Sequence, residues 1–302
     1  MGVCGEVARS CTPPFLEEVR FETPPAQQAQ CDWSDFGTIV EDGEVRTLSL
    51  FVMLLGFSRH TFGCFSTSMD EISLQRCHVA AFEDFGGVPN SVLYDNMKTV
   101  STGRDAEHQP IWQRDFADFA ARYGFTPKCA QPYRAKTKGK VERAIGFIRR
   151  SFLPGRVFTD LHDANVQLAA WLAQVNTRRH GTHGELIHER YAKERALLTP
   201  LRTGMPAVER SAMRVVDAEG AITYAANVYE LPRGYRGRTL LVREDGRRLR
   251  VYDGSALICE RELLSGRGQR ARRVPPDVVS LKERQRIVVE RRALDVYDEL
   301  AQ

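Results

Sequence analysis

The stretch KTKGKVERAIGFIRR, residues 136–150, sets a single carboxylate, Glu142, among six lysines and arginines. A lone acid in a basic run can be half of a surface ion pair. Its i−4 neighbour is Lys138, but lysine N-terminal to glutamate is the less favourable order, and an exposed pair contributes only about 0.3–0.5 kcal/mol. Two further acids stand in unusual places. Asp32 interrupts an apolar, strand-like segment between Ala29 and Phe36, where an unpaired carboxylate is costly; Asp35 competes with it for any role. Asp95 ends the run SVLY and precedes Asn96, a pattern that an Asx turn or helix cap also explains. Acids in mid-strand, at a strand end and at a helix edge suit hard cations, which take oxygen ligands. Two such ions, about 3.5–4 Å apart, would activate an attacking oxygen and stabilise the leaving oxygen of an in-line phosphodiester displacement. Basic neighbours would then hold the phosphate.

The elements that must position these acids follow from periodicity. Segments 28–40, 46–57 and 59–67 alternate or run apolar and are separated by the acidic turn at 41–44 and by Gly56 to Ser58, which predicts a three-strand antiparallel meander. Its second strand, with the run Leu50 to Leu55, reads as buried on both faces. Beyond it, 69–87 starts with acids and stops at a glycine pair, predicting a helix. A short strand at 89–95, a helix at 111–124 and a strand at 125–130 follow. Val141, Ala144, Ile145, Ile148 and Phe152 then keep helical spacing, placing Glu142 beside an apolar stripe. The pattern predicts an α/β fold, a mixed sheet flanked by helices.

Five regions result: a leader at 1–22, a catalytic core at 23–155, a helical connector at 156–210, a small β-barrel at 211–265, and a basic linker with a terminal helix at 266–302. The connector contains a helix expected over 159–180. Asp245-Gly246 and Asp253-Gly254 mark hairpin turns in the barrel.

Net charge is only +4, but it is segregated. Residues 128–150, 233–250 and 261–292 together carry +18, leaving −14 elsewhere, an electrostatic footprint for a polyanion. The longest apolar run falls far short of the roughly 18 residues of a membrane span. The first 22 residues lack a basic-then-apolar beginning, and the expectation is a cytoplasmic protein. Seven cysteines, scattered and without a CxxC pair, read as free thiols in a reducing compartment. His180, His183 and His188 cluster with no nearby cysteine, and read as a polar loop and helix start.

QCDW at 30–33, YDNMK at 94–98 and KGKVE at 138–142 resemble, as an ordered set, the catalytic core of DDE transposases and retroviral-type integrases, above all the IstA-type insertion-sequence transposases. The resemblance continues through 175–201 and 226–237. It implies an RNase H-like core followed by a small SH3-like β-barrel and a basic helical tail. It also implies a catalytic and metal-binding triad of Asp32, Asp95 and Glu142, two Mg²⁺ or Mn²⁺ ions per site, and strand cleavage followed by 3′-hydroxyl strand transfer into target DNA. Implied partners are DNA, further copies of the chain assembled on it, and an AAA+ helper ATPase. Lys136, Lys138, Lys140, Arg143 and Arg149, with Arg233, Arg236 and Arg238 on the barrel, are the expected phosphate contacts. Members of this family generally carry helix-turn-helix domains before the core, where about 22 residues stand here. The alternative expectation is therefore a truncated, catalytically silent DNA-binding remnant acting as a regulator or inhibitor. A nuclease of repair or RNA processing, which hydrolyses but does not join, ranks third.

Overall fold

The computed structural model describes residues 22–41, 43–95, 97–130, 139–204, 207–264 and 266–272, and the chain divides into two units after residue 205. In the first, β1 (Ala29–Glu41), β2 (Glu44–Leu55) and β3 (Thr61–Ser66) form the expected antiparallel meander. Helix α1 (Glu71–Phe85) starts at Asp70, whose carboxylate accepts from Ser73 N, and stops at Gly86 with φ +66°, a left-handed conformation that glycine adopts freely. Strand β4 (Ser91–Tyr94) then pairs parallel with β1, and after the β5 (Ser101–Arg104) and β6 (Pro110–Trp112) hairpin and α2 (Arg114–Tyr123), β7 (Thr126–Cys129) pairs parallel with β4. The strand order β3-β2-β1-β4-β7 makes a mixed sheet.

Alternation along β2 explains why it is buried on both faces. Leu50, Val52 and Leu54 join the core under α3 (Gly139–Ser151) and α4 (Leu161–Val175), with Val141, Ile145, Ile148, Leu168 and Leu172. Phe51 turns the other way, against His78 of α1. Helix α4 thus completes a layer of the first unit's core, and α5 (Ile187–Arg195) follows it. The helix expected to begin at 111 starts instead at Arg114. Pro110, Ile111 and Trp112 pair with Ser101–Arg104 as a strand, and the Gln113 N–H donates to Val100 O at 2.9 Å.

The second unit holds a four-stranded antiparallel sheet, β8 (Arg210–Val215), β11 (Thr239–Glu244), β12 (Arg248–Asp253) and β13 (Ala256–Glu262). Beside it lies a three-stranded sheet of β9 (Ala221–Tyr224), β10 (Asn227–Glu230) and β14 (Arg270–Ala271). Together they enclose one apolar core that includes Ile222, Tyr229, Leu240, Val242, Leu249 and Val251. The hairpin glycines, Gly246 and Gly254, have φ of +93° and +60°, as the Asp-Gly turns require. The expected terminal helix lies outside the described residues, as does the leader apart from Glu22. No helix among the described residues is long and apolar enough to cross a membrane.

Candidate active site

Strand register brings the two aspartates level. In the parallel β1–β4 pair Ala29 faces Val92 and Gln30 faces Leu93; carried two residues on, one past the end of β4 at Tyr94, that register sets Asp95 opposite Asp32. Level residues of neighbouring parallel strands point to the same face, with the strands about 4.8 Å apart. That face is the one α3 covers. Gln30 Oε1 accepts from Val141 N at 3.3 Å, and Ser34 Oγ accepts from Arg149 Nη2 at 2.9 Å. Because residues 30, 32 and 34 share a face, Asp32 lies between those two contacts. Glu142 directly follows Val141, in the first turn of α3. Asp32 is half-buried, whereas Asp95 and Glu142 are exposed.

Asp35 is separated from this group. It has the opposite parity on β1, and its Oδ1 accepts from Gly37 N at 2.8 Å, where the β1–β2 register shifts and Gly37 adopts φ +93°. That carboxylate holds a bulge. Asp32 Oδ1 instead accepts from Trp33 N at 2.9 Å, while the Trp33 ring meets Phe51 edge-on at 5.3 Å in the core.

The far face of the sheet braces Asp95. Tyr94, the residue before it, is fully buried, and its hydroxyl lies 2.7 Å from His78 Nε2. His78 Nδ1 lies 2.8 Å from Leu74 O. A carbonyl only accepts, so Nδ1 carries the proton and Nε2 accepts from Tyr94. Burial lowers the His78 pKa to about 4. Periodicity could mark His78 as a residue of the α1 core face, but not as the partner of Tyr94.

The expected phosphate contacts have diverse surroundings. Lys136 and Lys138 lie outside the described residues. Lys140 turns inward, donating to Thr23 Oγ1 at 2.7 Å and Gly56 O at 3.0 Å; burial, and then the charge of Arg59, lower its pKa to about 8. Arg143 is exposed, with Nε donating to Gly139 O at 2.6 Å. Arg149 is also exposed and stacks over Phe36 with its guanidinium carbon 4.4 Å from the ring centre. In the second unit Arg233 and Arg236 are exposed and line a cavity of 460 Å³ with Tyr235 and Glu219, whereas Arg238 is paired with Asp253.

The donor chemistry of Asp32, Asp95 and Glu142, all carboxylate oxygen, suits a hard divalent cation. Among the described residues, no three acidic, histidine or cysteine side chains are gathered closely enough to hold a metal ion.

Comparison with known proteins finds the integrase core domain over residues 22–135, a second integrase core domain family over 123–186, and the Mu transposase C-terminal domain over 201–273. The proposed transposase of insertion sequence element IS5376 from Geobacillus stearothermophilus is 42% identical over 227 residues, covering 75% of this chain and 56% of the relative. The transposase of insertion sequence element IS21 from Pseudomonas aeruginosa is 30% identical over 292 residues, covering 95% of this chain and 73% of the relative. This chain therefore spans just over half the length of the first relative. Among solved structures, the HTLV-2 integrase catalytic core domain in complex with magnesium is similar at 15% identity with a TM-score of 0.40, over 55% of this chain and 97% of that one.

Proposed function

Because this chain belongs to the insertion-sequence transposases with an integrase core domain, we propose that it cleaves DNA at the ends of an insertion sequence and joins the freed 3′-hydroxyl to target DNA. The observation that carries this reading is the parallel register of β1 and β4, which runs on to set Asp32 of β1 opposite Asp95, the residue after β4, under the helix whose first turn holds Glu142. In this reading the three carboxylates are the catalytic group and would draw together to hold two Mg²⁺ or Mn²⁺ ions, a gathering that the described side chains do not have without the metal. Bound there, the ions supply activation of the attacking oxygen and neutralisation of charge on the leaving one.

The chain's own residues set where the phosphodiester lies. Asp32 is fixed by the strand that carries it, and Asp95 by the Tyr94–His78 bond behind it. Arg149, exposed along α3, and Arg143, beside Glu142, present guanidinium groups to backbone phosphates. Lys136 and Lys138, outside the described residues, are further phosphate contacts in the same reading, and Lys140 braces the first turn of α3 from within. The second unit is an SH3-like barrel that binds DNA through Arg233 and Arg236, with Arg238 at its margin. Contacts of this kind read backbone, not sequence, so binding weakens steeply as salt rises. Two element ends must be handled together, which calls for more than one copy of the chain on DNA. A helper ATPase of the AAA+ class, meeting the basic tail, belongs to the same reading, as does a cytoplasmic location.

The test is strand joining on a pre-nicked duplex with Mg²⁺ or Mn²⁺. Joining is expected from the wild type and lost in Glu142→Gln while DNA binding is kept. Joining that survives Glu142→Gln would remove Glu142 from the catalytic group. Salt-sensitive DNA binding without joining, in wild type and variant alike, would favour a DNA-binding regulator.

A further inference from the structure

Behind the first turn of α3, a ring of charged and imidazole side chains lies outside the carboxylate group. Arg59, which is only 8% exposed, takes φ +68°, a strained conformation for a residue other than glycine. Its Nη2 reaches Glu22 at 3.4 and 3.5 Å, while its Nη1 is buried without a hydrogen-bond partner. Glu22 also lies 3.8 Å from Arg190. Arg190 binds Glu185 at 2.5 Å and donates to Phe57 O at 3.2 and 3.1 Å. The ring closes through His183, whose Nδ1 accepts from Glu185 N at 3.2 Å and whose imidazole stacks on His180 at 4.7 Å.

Both imidazoles are held in one tautomer. His180 Nδ1 accepts from Thr182 N at 3.2 Å, as His183 Nδ1 does from Glu185 N. A nitrogen that accepts from a backbone N–H has no proton of its own, so each ring carries its proton on Nε2. The Nε2–H of His183 is buried and unpartnered. Two donors without acceptors, His183 Nε2–H and Arg59 Nη1–H, therefore stand in one cationic ring, and a buried donor left unmade costs about 1–3 kcal/mol. Burial first, then the neighbouring His183 for His180 and the guanidinium of Arg190 for His183, with Arg59 after them, hold both histidines below their ordinary pKa, so they donate as neutral groups. The acceptor already present is poor: Glu22 is half exposed and its contacts to the two arginines are long.

We infer that this ring is a second anion site, which takes a backbone phosphodiester of DNA in place of the Glu22 carboxylate. Its oxygens would accept from Arg59 Nη1 and His183 Nε2, groups for which the reaction itself has no use. Lys140, two residues before Glu142, donates to Thr23 Oγ1, next in sequence to Glu22, so a duplex lying over the carboxylates in the proposed reading would pass close to this ring. Gly56 N donates to Gln28 O at 2.8 Å, and Gln28 precedes Asp32 by four residues, on the order of 13 Å of strand. The inference rests on the reading of the chain as a DNA-handling protein.

The experiment is a fluorescence anisotropy titration of a labelled duplex with the full chain at several salt concentrations, for the wild type, Glu22→Gln and His183→Phe. Removing the competing carboxylate charge is expected to tighten binding about fivefold in Glu22→Gln. His183→Phe keeps the ring stack but loses the donor, and is expected to weaken binding at every salt concentration with the salt slope unchanged, because the lost donor is neutral and the charge of Arg59 remains. The Nε2–H resonance of His183, followed in ¹⁵N-histidine-labelled protein, is expected to shift when the duplex is added. Wild-type binding with both variants unchanged and that resonance unmoved would overturn the second site and leave the transposase reading standing. A wild type that binds no duplex at any salt would overturn both.

Discussion

His78 should make the first unit sensitive to acid in a way that one substitution can isolate. It is fully buried, and its pKa is lowered to about 4 from an ordinary value of 6.5. A histidine whose folded pKa lies below its unfolded value binds fewer protons folded than unfolded between those limits. Its contribution to stability is therefore present above pH 6.5 and lost as pH falls toward 4. At about 1.36 kcal/mol per pH unit, the loss across the window is about 3 kcal/mol. In His78→Phe the Tyr94 hydroxyl loses its acceptor, which costs about 1–3 kcal/mol at every pH in the window. The variant should start less stable near pH 7 but lose less on acidification, so the gap between the two proteins closes or reverses near pH 4. Other acid-sensitive groups, including His180, titrate in both proteins and cancel in the difference. Urea unfolding followed by tryptophan fluorescence reports this unit alone, because Trp33, Trp112 and Trp171 all precede residue 206. A constant gap from pH 6.5 to 4 would refute the argument.

Three further outcomes follow from single contacts. Glu194 is fully buried and accepts from Ala26 N at 3.0 Å and Ser58 N at 2.9 Å, so Glu194→Ala should destabilise the unit by about 2–6 kcal/mol. Glu194→Gln, which keeps one acceptor, should lose about half as much, and equal losses by urea unfolding would contradict this. A Cβ on Gly56 would stand 2.6 Å from the backbone oxygen of Gln28, so Gly56→Ala should cost about 1–3 kcal/mol and slow exchange of the Gly56 amide should be lost in hydrogen-exchange measurements. Asp32→Asn should abolish strand joining, whereas Asp35→Asn should retain most of it. The reverse ranking in the joining assay would exchange their roles.

Much of the fold is legible because its elements have one period each. The meander, α1 and the Asp-Gly hairpins carry unmixed signals: alternation, an acidic start with a glycine stop, and turns that need positive φ. The β5–β6 hairpin is not legible. Its strands have four and three residues, largely polar, and its second strand abuts α2, so Ile111 and Trp112 read as the start of that helix's apolar face. Nor does sequence show that α4 is a core layer. Its apolar face is plain, but what that face covers, β3 and the end of α3, is decided by tertiary packing.

The site divides in the same way. Asp32 and Asp95 could be singled out because each is out of place locally, but their alignment is a property of strand register, which no local pattern encodes. The basic run around Glu142 shows why charge alone is an incomplete guide. The sign of each residue is legible, but the direction of each side chain is not: Lys140 faces Gly56 O, Arg149 lies along β1, and Arg143 folds back on Gly139 O. Conversely, Arg59 has no charged neighbour in sequence beyond His60, and Glu22 lies 37 residues away, yet the fold brings both into one ring with His183. If the inferred anion site holds, phosphate binding depends less on how many cations the run contains than on which donors the fold leaves unmade. Arg59 and His183 are such donors, and their contribution to DNA affinity should exceed that of Lys140, whose ammonium already has two oxygen partners.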